Sequence, residues 1–181
     1  MAKDRVIRFF NYDMAFDFYT KEIKSMKQGY IKRTGIKKIA KHVLVLSIIK
    51  GIESGKFKYN KFLFEEVEEI YNNIFEQYIE IARQHNEKTP LSYPFYYLQS
   101  DNFWHLDFIE HSETKTNSPT SAWVKRNVEY AYIDEELWII LHNSEYRLRL
   151  KNFIIDTKIK DNVKTGNTVS MMRFIGWLLA I

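Results

Sequence analysis

The chain has 181 residues, 45% hydrophobic and 16% aromatic: enough apolar side chain for one domain with its own core, and too much for a disordered segment. It has no cysteine, which excludes disulfides, thiolate metal sites and thiol nucleophiles. The net charge of +4 hides an asymmetry: residues 21–61 hold twelve Lys and Arg against Glu22 and Glu53, whereas residues 62–86 hold six Glu against Arg83. Phosphate is the commonest partner of such a positive pole, and the alternative is a solvated basic face beside an acidic helix.

In chain order, the start (Met1-Ala2-Lys3-Asp4-Arg5) is charged and has no apolar run of signal-peptide length behind it. Residues 1–36 read as a basic and aromatic N-terminal extension with some helix. It carries Phe9, Phe10, Tyr12, Phe16, Phe18 and Tyr19, then a basic loop or short strand, Tyr30-Ile31-Lys32-Arg33-Thr34, between Gly29 and Gly35. Residues 37–53 predict a buried helix on Ile39, Val43, Leu46 and Ile49, stopped at Gly55. Its apolar stretch, Val43 to Ile49, is too short to cross a bilayer. No membrane is expected, and the cytoplasm is the default compartment. Lys56 to Phe64 suggests a turn or short strand pair around Asn60.

The clearest helix is 65–85, with Val67, Ile70, Tyr71, Ile74, Phe75, Tyr78 and Ile79 on one stripe and Glu in its first turn. Residues 86–90 break it. Tyr93 to Phe108 is rich in aromatics and is interrupted by Gln99-Ser100-Asp101-Asn102, which predicts a β-hairpin. Residues 110–121 read as a loop. Asp134 is expected to cap a helix over 135–142, and Ser144 a second over 145–156. Residues 158–181 form a polar tail with an apolar end from Met171, and such an end needs a partner surface. The expected architecture is mainly helical α+β: a small antiparallel β-hairpin packed against three or four helices, with the recognition domain over residues 37–157.

Three segments together resemble one family. They are Lys41-His42-Val43-Leu44-Val45-Leu46, then Tyr93-Pro94-Phe95-Tyr96-Tyr97-Leu98 running to Asp101-Asn102-Phe103-Trp104, then Ile133-Asp134-Glu135-Glu136-Leu137 leading to Arg147. Their order is similar to that of the N-terminal DNA-sulfur-binding domain of modification-dependent HNH restriction endonucleases, which recognises phosphorothioate-modified DNA. The resemblance implies DNA as partner and a defence role. It also implies a sulfur cup at Tyr93 and Pro94. A sulfur in place of a phosphate oxygen is larger and less well hydrated, so an apolar cup can accept it while nearby cations neutralise the phosphate. Lys41 and His42 match the phosphate contacts best, with Lys32, Arg33 and Lys38 beside them and Lys125 and Arg126 as further candidates.

The chain departs from the family pattern in three places. His42-Val43 stands where a basic residue and Pro are usual, Asn102 where Gly is usual, and a bulky Tyr97 lies near the expected cup. No HNH pattern follows residue 157, so cleavage is expected from a separate nuclease subunit, and no catalytic residue, metal or small-molecule cofactor is assigned to this chain. Two other readings stay open. One is an interaction module or truncated endonuclease remnant that self-associates through its apolar end. The other is a magnesium nuclease built on Asp107, Glu113 and Lys115, or a metal cluster of His105, Asp107, Glu110 and His111. Acid-x-Lys triplets are common, and Glu22-Ile23-Lys24 is another.

Overall fold

A helix apolar on nearly every side must lie at the centre of a domain. The second helix of the computed structural model, α2 (Ala40–Glu53), is such a helix, buried from His42 through Ile49 and again at Gly51 and Ile52. The structure describes residues 11–84 and 87–161. Around α2 lie α1 (Tyr12–Ser25), α3 (Phe64–Ile79), α4 (Ser92–Tyr97), α5 (Ser121–Asn127), α6 (Glu135–His142) and α7 (Ser144–Ile154). A 3-10 turn, Leu98–Ser100, continues α4, and a π-helical turn, Ile155–Lys160, continues α7. The expected mainly helical α+β class is observed. No described helix is long and apolar enough to cross a membrane.

The two strands are β1 (Trp104–Phe108) and β2 (Val128–Ile133), antiparallel, with Trp104 opposite Ile133 and Leu106 opposite Ala131. Phe62 extends this ladder by bridging to Ala131 through two backbone bonds of 2.8 and 3.0 Å. Asn60 anchors the turn before it: its side chain donates to the Ile133 carbonyl (2.7 Å) and accepts from the Ile133 amide (3.0 Å). The Phe62 ring stacks on Trp104, centroids 5.8 Å apart, and the Trp104 indole donates to the Phe95 carbonyl at 2.9 Å. The pair thus locks α4 and the sheet into one core.

Several expectations are corrected. The hairpin placed within Tyr93–Phe108 is instead a helix followed by one strand, whose partner is Val128–Ile133, across a loop and α5. Pro94 lies in the first turn of α4, where its missing N–H costs nothing. Burial of Phe95, Tyr96 and Leu98 then outweighs their strand propensity. From the N-terminal segment, Ala15, Phe16, Tyr19, Ile23 and Met26 pack in the same core as α2. Asn143, rather than Ser144, caps α7, accepting from the amides of Glu145 and Tyr146. The Asp134 side chain makes no cap bond; it accepts from the Tyr19 hydroxyl (2.9 Å) and pairs with His105 (2.7 Å). Phe9, Phe10 and the apolar end at 171–181 lie outside the described residues.

Candidate functional site

The helical form of residues 92–97 decides which side chains meet. In a strand, Tyr93, Phe95 and Tyr97 would share a face; in a helix, Tyr93 and Tyr97 are neighbours one turn apart while Phe95 turns inward. The structure shows the helical arrangement. Tyr93 and Tyr97 are exposed with ring centroids 6.3 Å apart, and Phe95 is fully buried.

These two rings and Pro94 form one wall of an open cleft of about 400 Å³. The lining also includes Lys27, Gln28 and Gly29, after α1, and Lys38, Ala40 and Lys41, at the start of α2. Thr89 and Ser100 complete the lining. The Gln28 amide donates to the Lys38 carbonyl at 2.9 Å, which ties the two basic segments together. The Tyr97 hydroxyl donates to the Asn117 carbonyl at 3.0 Å, so the ring stands as a fixed wall. Thr89 Oγ1 is buried with no hydrogen-bond partner, and its carbonyl accepts from the Tyr71 hydroxyl at 2.8 Å.

The cleft has an apolar aromatic side and a cationic side. Such a surface suits an anion with an apolar or weakly hydrated part. Lys41 is already engaged: its ammonium pairs with Asp101, with Ser100 Oγ at 3.5 Å. Lys27 and Lys38 also line the cleft, and neither forms an ion pair among the described residues.

The other sequence candidates separate. Tyr93, Pro94, Lys38 and Lys41 converge at the cleft. Lys32 and Arg33 are exposed in the turn between Ile31 and Ile36, outside the cleft lining. That turn needs Gly35 in the left-handed region (φ +71°), where its amide donates to the Ile31 carbonyl. His42 is a correction. It is wholly buried, one residue beyond Lys41 on α2, and its Nε2 meets the Ile23 carbonyl at 3.3 Å. Burial first, then Lys158, with Lys41 and Lys37, hold its pKa down at about 3, outweighing the bond to Ile23. A neutral, inaccessible imidazole cannot contact a phosphate. Lys125 is not among the cleft-lining residues, and its ammonium lies 3.7 Å from both Glu65 and Glu68 on α3. Arg126 is exposed beside it, on α5.

The candidate metal residues form no metal-binding group, and the candidate nuclease carboxylates are engaged by separate partners. Among the described residues no group of three or more His, Asp and Glu could hold a metal ion. Asp107 is bound by the Tyr130 hydroxyl, and that bond first, with burial, lifts the phenol to about 12. Glu113 accepts from the Trp123 indole at 3.1 Å, Lys115 is exposed, and His105 is committed to Asp134. Sequence reasoning missed Lys27, Gln28 and Thr89 as cleft residues. Only their position around the fold, which no spacing encodes, brings them to Tyr93.

No protein-family model matches the chain, and no curated protein matches it. Among solved structures it is similar to the sulfur binding domain of SprMcrA complexed with phosphorothioated DNA. The TM-score is 0.60 over 82% of this chain and 88% of that chain, at 15% identity. The chain shares that domain's fold.

Proposed function

We propose that this protein is a DNA-binding recognition module that grips the duplex backbone at the Tyr93–Pro94 cleft and prefers a phosphorothioate there. One observation carries the reading: Tyr93, Pro94 and Tyr97 line one cleft together with the cations Lys27, Lys38 and Lys41, in a fold similar to that of a domain seen with phosphorothioated DNA. The proline ring and tyrosine faces accept a polarisable sulfur without offering it a hydrogen bond, and the lysines neutralise the phosphate that carries it. Lys32 and Arg33 extend the cationic rim along the neighbouring backbone.

In this reading the chain recognises and does not cut. A nuclease subunit of a restriction system is the partner it calls for, and DNA is the ligand. The test is a salt titration of duplex affinity. Neutralising several phosphates releases counterions, so binding should weaken steeply and log-linearly with salt. Affinity that does not change with salt, or no duplex binding near 50 mM salt, would overturn the proposal.

A further inference from the structure

Tyr97 joins the cleft to a second element. It lines the cleft, and its hydroxyl donates to the Asn117 backbone carbonyl at 3.0 Å. The loop between β1 and α5 therefore stands one tyrosine side chain away from the cleft. Tyr96, buried next to Tyr97 in α4, fixes the same loop twice. Its hydroxyl donates to the Thr114 carbonyl at 3.4 Å and accepts from the Thr116 amide at 3.1 Å. Further back, the buried Asn127 side chain accepts from the Glu113 amide at 3.0 Å, and the Ser112 hydroxyl donates to the Asn127 carbonyl at 2.9 Å.

From Glu113 to Asn117 these anchors take backbone atoms and leave the side chains over. The Glu113 carboxylate accepts from the Trp123 indole, so the loop's acid is engaged by α5. Thr116 is half-buried, and its hydroxyl accepts from the Ser118 amide at 3.1 Å. Lys115 and Asn117, on either side of it, are exposed. Among the described residues Lys115 forms no ion pair and the Asn117 side chain no hydrogen bond. A loop with a fixed backbone and unengaged polar side chains can meet a ligand with little further loss of conformational freedom.

We infer that Lys115 and Asn117 read base edges beside the phosphate held in the cleft, so that the module recognises a phosphorothioate within a purine-containing sequence. The inference rests on the DNA-binding reading and adds sequence recognition to it. Contacts to the phosphate fix position and carry no sequence information, so the cleft by itself is blind to sequence. A lysine ammonium donates to the O6 and N7 acceptors of guanine. An asparagine amide matches the N6 donor and N7 acceptor of adenine. Both patterns lie in the major groove. The loop thus enters the major groove that borders the gripped phosphate, with Tyr97 setting its distance from the cleft.

The experiment uses the full chain and a panel of duplexes. Each carries one phosphorothioate at a fixed position, the flanking base pairs are changed one at a time, and each has an unmodified counterpart. Affinity is measured by fluorescence anisotropy at one moderate salt concentration for wild type, Lys115→Ala and Asn117→Ala. Both side chains are exposed, and the Tyr97 bond uses the Asn117 backbone, so both variants keep the cleft. Wild type should bind its preferred flank about tenfold more tightly than a duplex with one pair changed. Lys115→Ala should lose that preference at a guanine position and Asn117→Ala at an adenine position, each with the wild-type preference for sulfur. Equal affinity of wild type for every sulfur duplex would overturn base reading and leave the cleft reading intact. So would variants that keep the wild-type discrimination, or that weaken all duplexes alike as the loss of a phosphate contact does. A wild type that binds no duplex would overturn both readings.

Discussion

Lys41, in the first turn of α2, and Asp101, at the end of the 3-10 turn, form an ion pair with side chains only 14% and 13% exposed. One of the cations lining the cleft with Tyr93 and Pro94 is therefore already neutralised, and an arriving phosphate must compete with Asp101. Asparagine keeps the shape and an acceptor oxygen while removing the charge. Asp101→Asn should tighten binding to every duplex by about threefold to tenfold, read by anisotropy at one fixed salt concentration. Weaker binding in this variant would show that Asp101 positions Lys41 rather than restrains it.

His42 gives a pH prediction. In the unfolded chain an imidazole titrates near pH 6.5; in the fold, burial and the neighbouring lysines keep it neutral down to about 3. Between these values the unfolded state binds more protons, so stability falls on acidification, by up to about 1.4 kcal/mol per pH unit. The stability is fully present above pH ~6.5 and is lost as pH falls toward 3. Urea melts of wild type and His42→Leu at neutral and acidic pH test this. The gap between them should shift in favour of the variant as pH falls, and a gap independent of pH would contradict it.

Gly51 is a packing constraint on α2. A Cβ there would stand 2.1 Å from Cε2 of Phe57, and that ring is held edge-on to Phe62 at 5.1 Å. Neither ring lies at a free end, so Gly51→Ala must shift the turn that leads to Asn60. The expected cost is about 1–3 kcal/mol by thermal or urea unfolding. An unchanged melting temperature would mean that Phe57 relaxes freely.

Asn60 holds both backbone groups of Ile133. Its removal leaves a buried donor and acceptor unpaired, so Asn60→Ala should cost about 2–3 kcal/mol. Amide exchange at Ile133 should speed up with it, and protection equal to wild type would contradict the role assigned here.

The sequence made α2 and α3 legible because their apolar periodicity is dense and uninterrupted: Val67, Tyr71 and Phe75 fall on the buried face as expected. It failed at residues 92–100. There, Tyr and Phe favour a strand locally, while Pro94 and the burial of Phe95 against Phe64 and Trp104 favour a helix. Tertiary packing decided, as it often does for short aromatic segments. β2 went unread because its partner lies 20 or more residues away, beyond any local signal. At the site, the Tyr93–Pro94 pair and the basic stretch were legible as residue types. The cleft residues Lys27 and Gln28 were not, because helix α1 must first pack on the core to bring them there.

The direct test of the cleft is an electrophoretic shift with matched duplexes, with and without one phosphorothioate, at moderate salt, for wild type and Pro94→Ala. Alanine keeps α4 helical and removes only the proline ring. The expected result is tighter binding of wild type to the sulfur duplex, with that preference lost in the variant and general duplex binding retained. Equal binding of wild type to both duplexes would contradict sulfur recognition, and binding to neither would contradict the DNA-binding account as a whole.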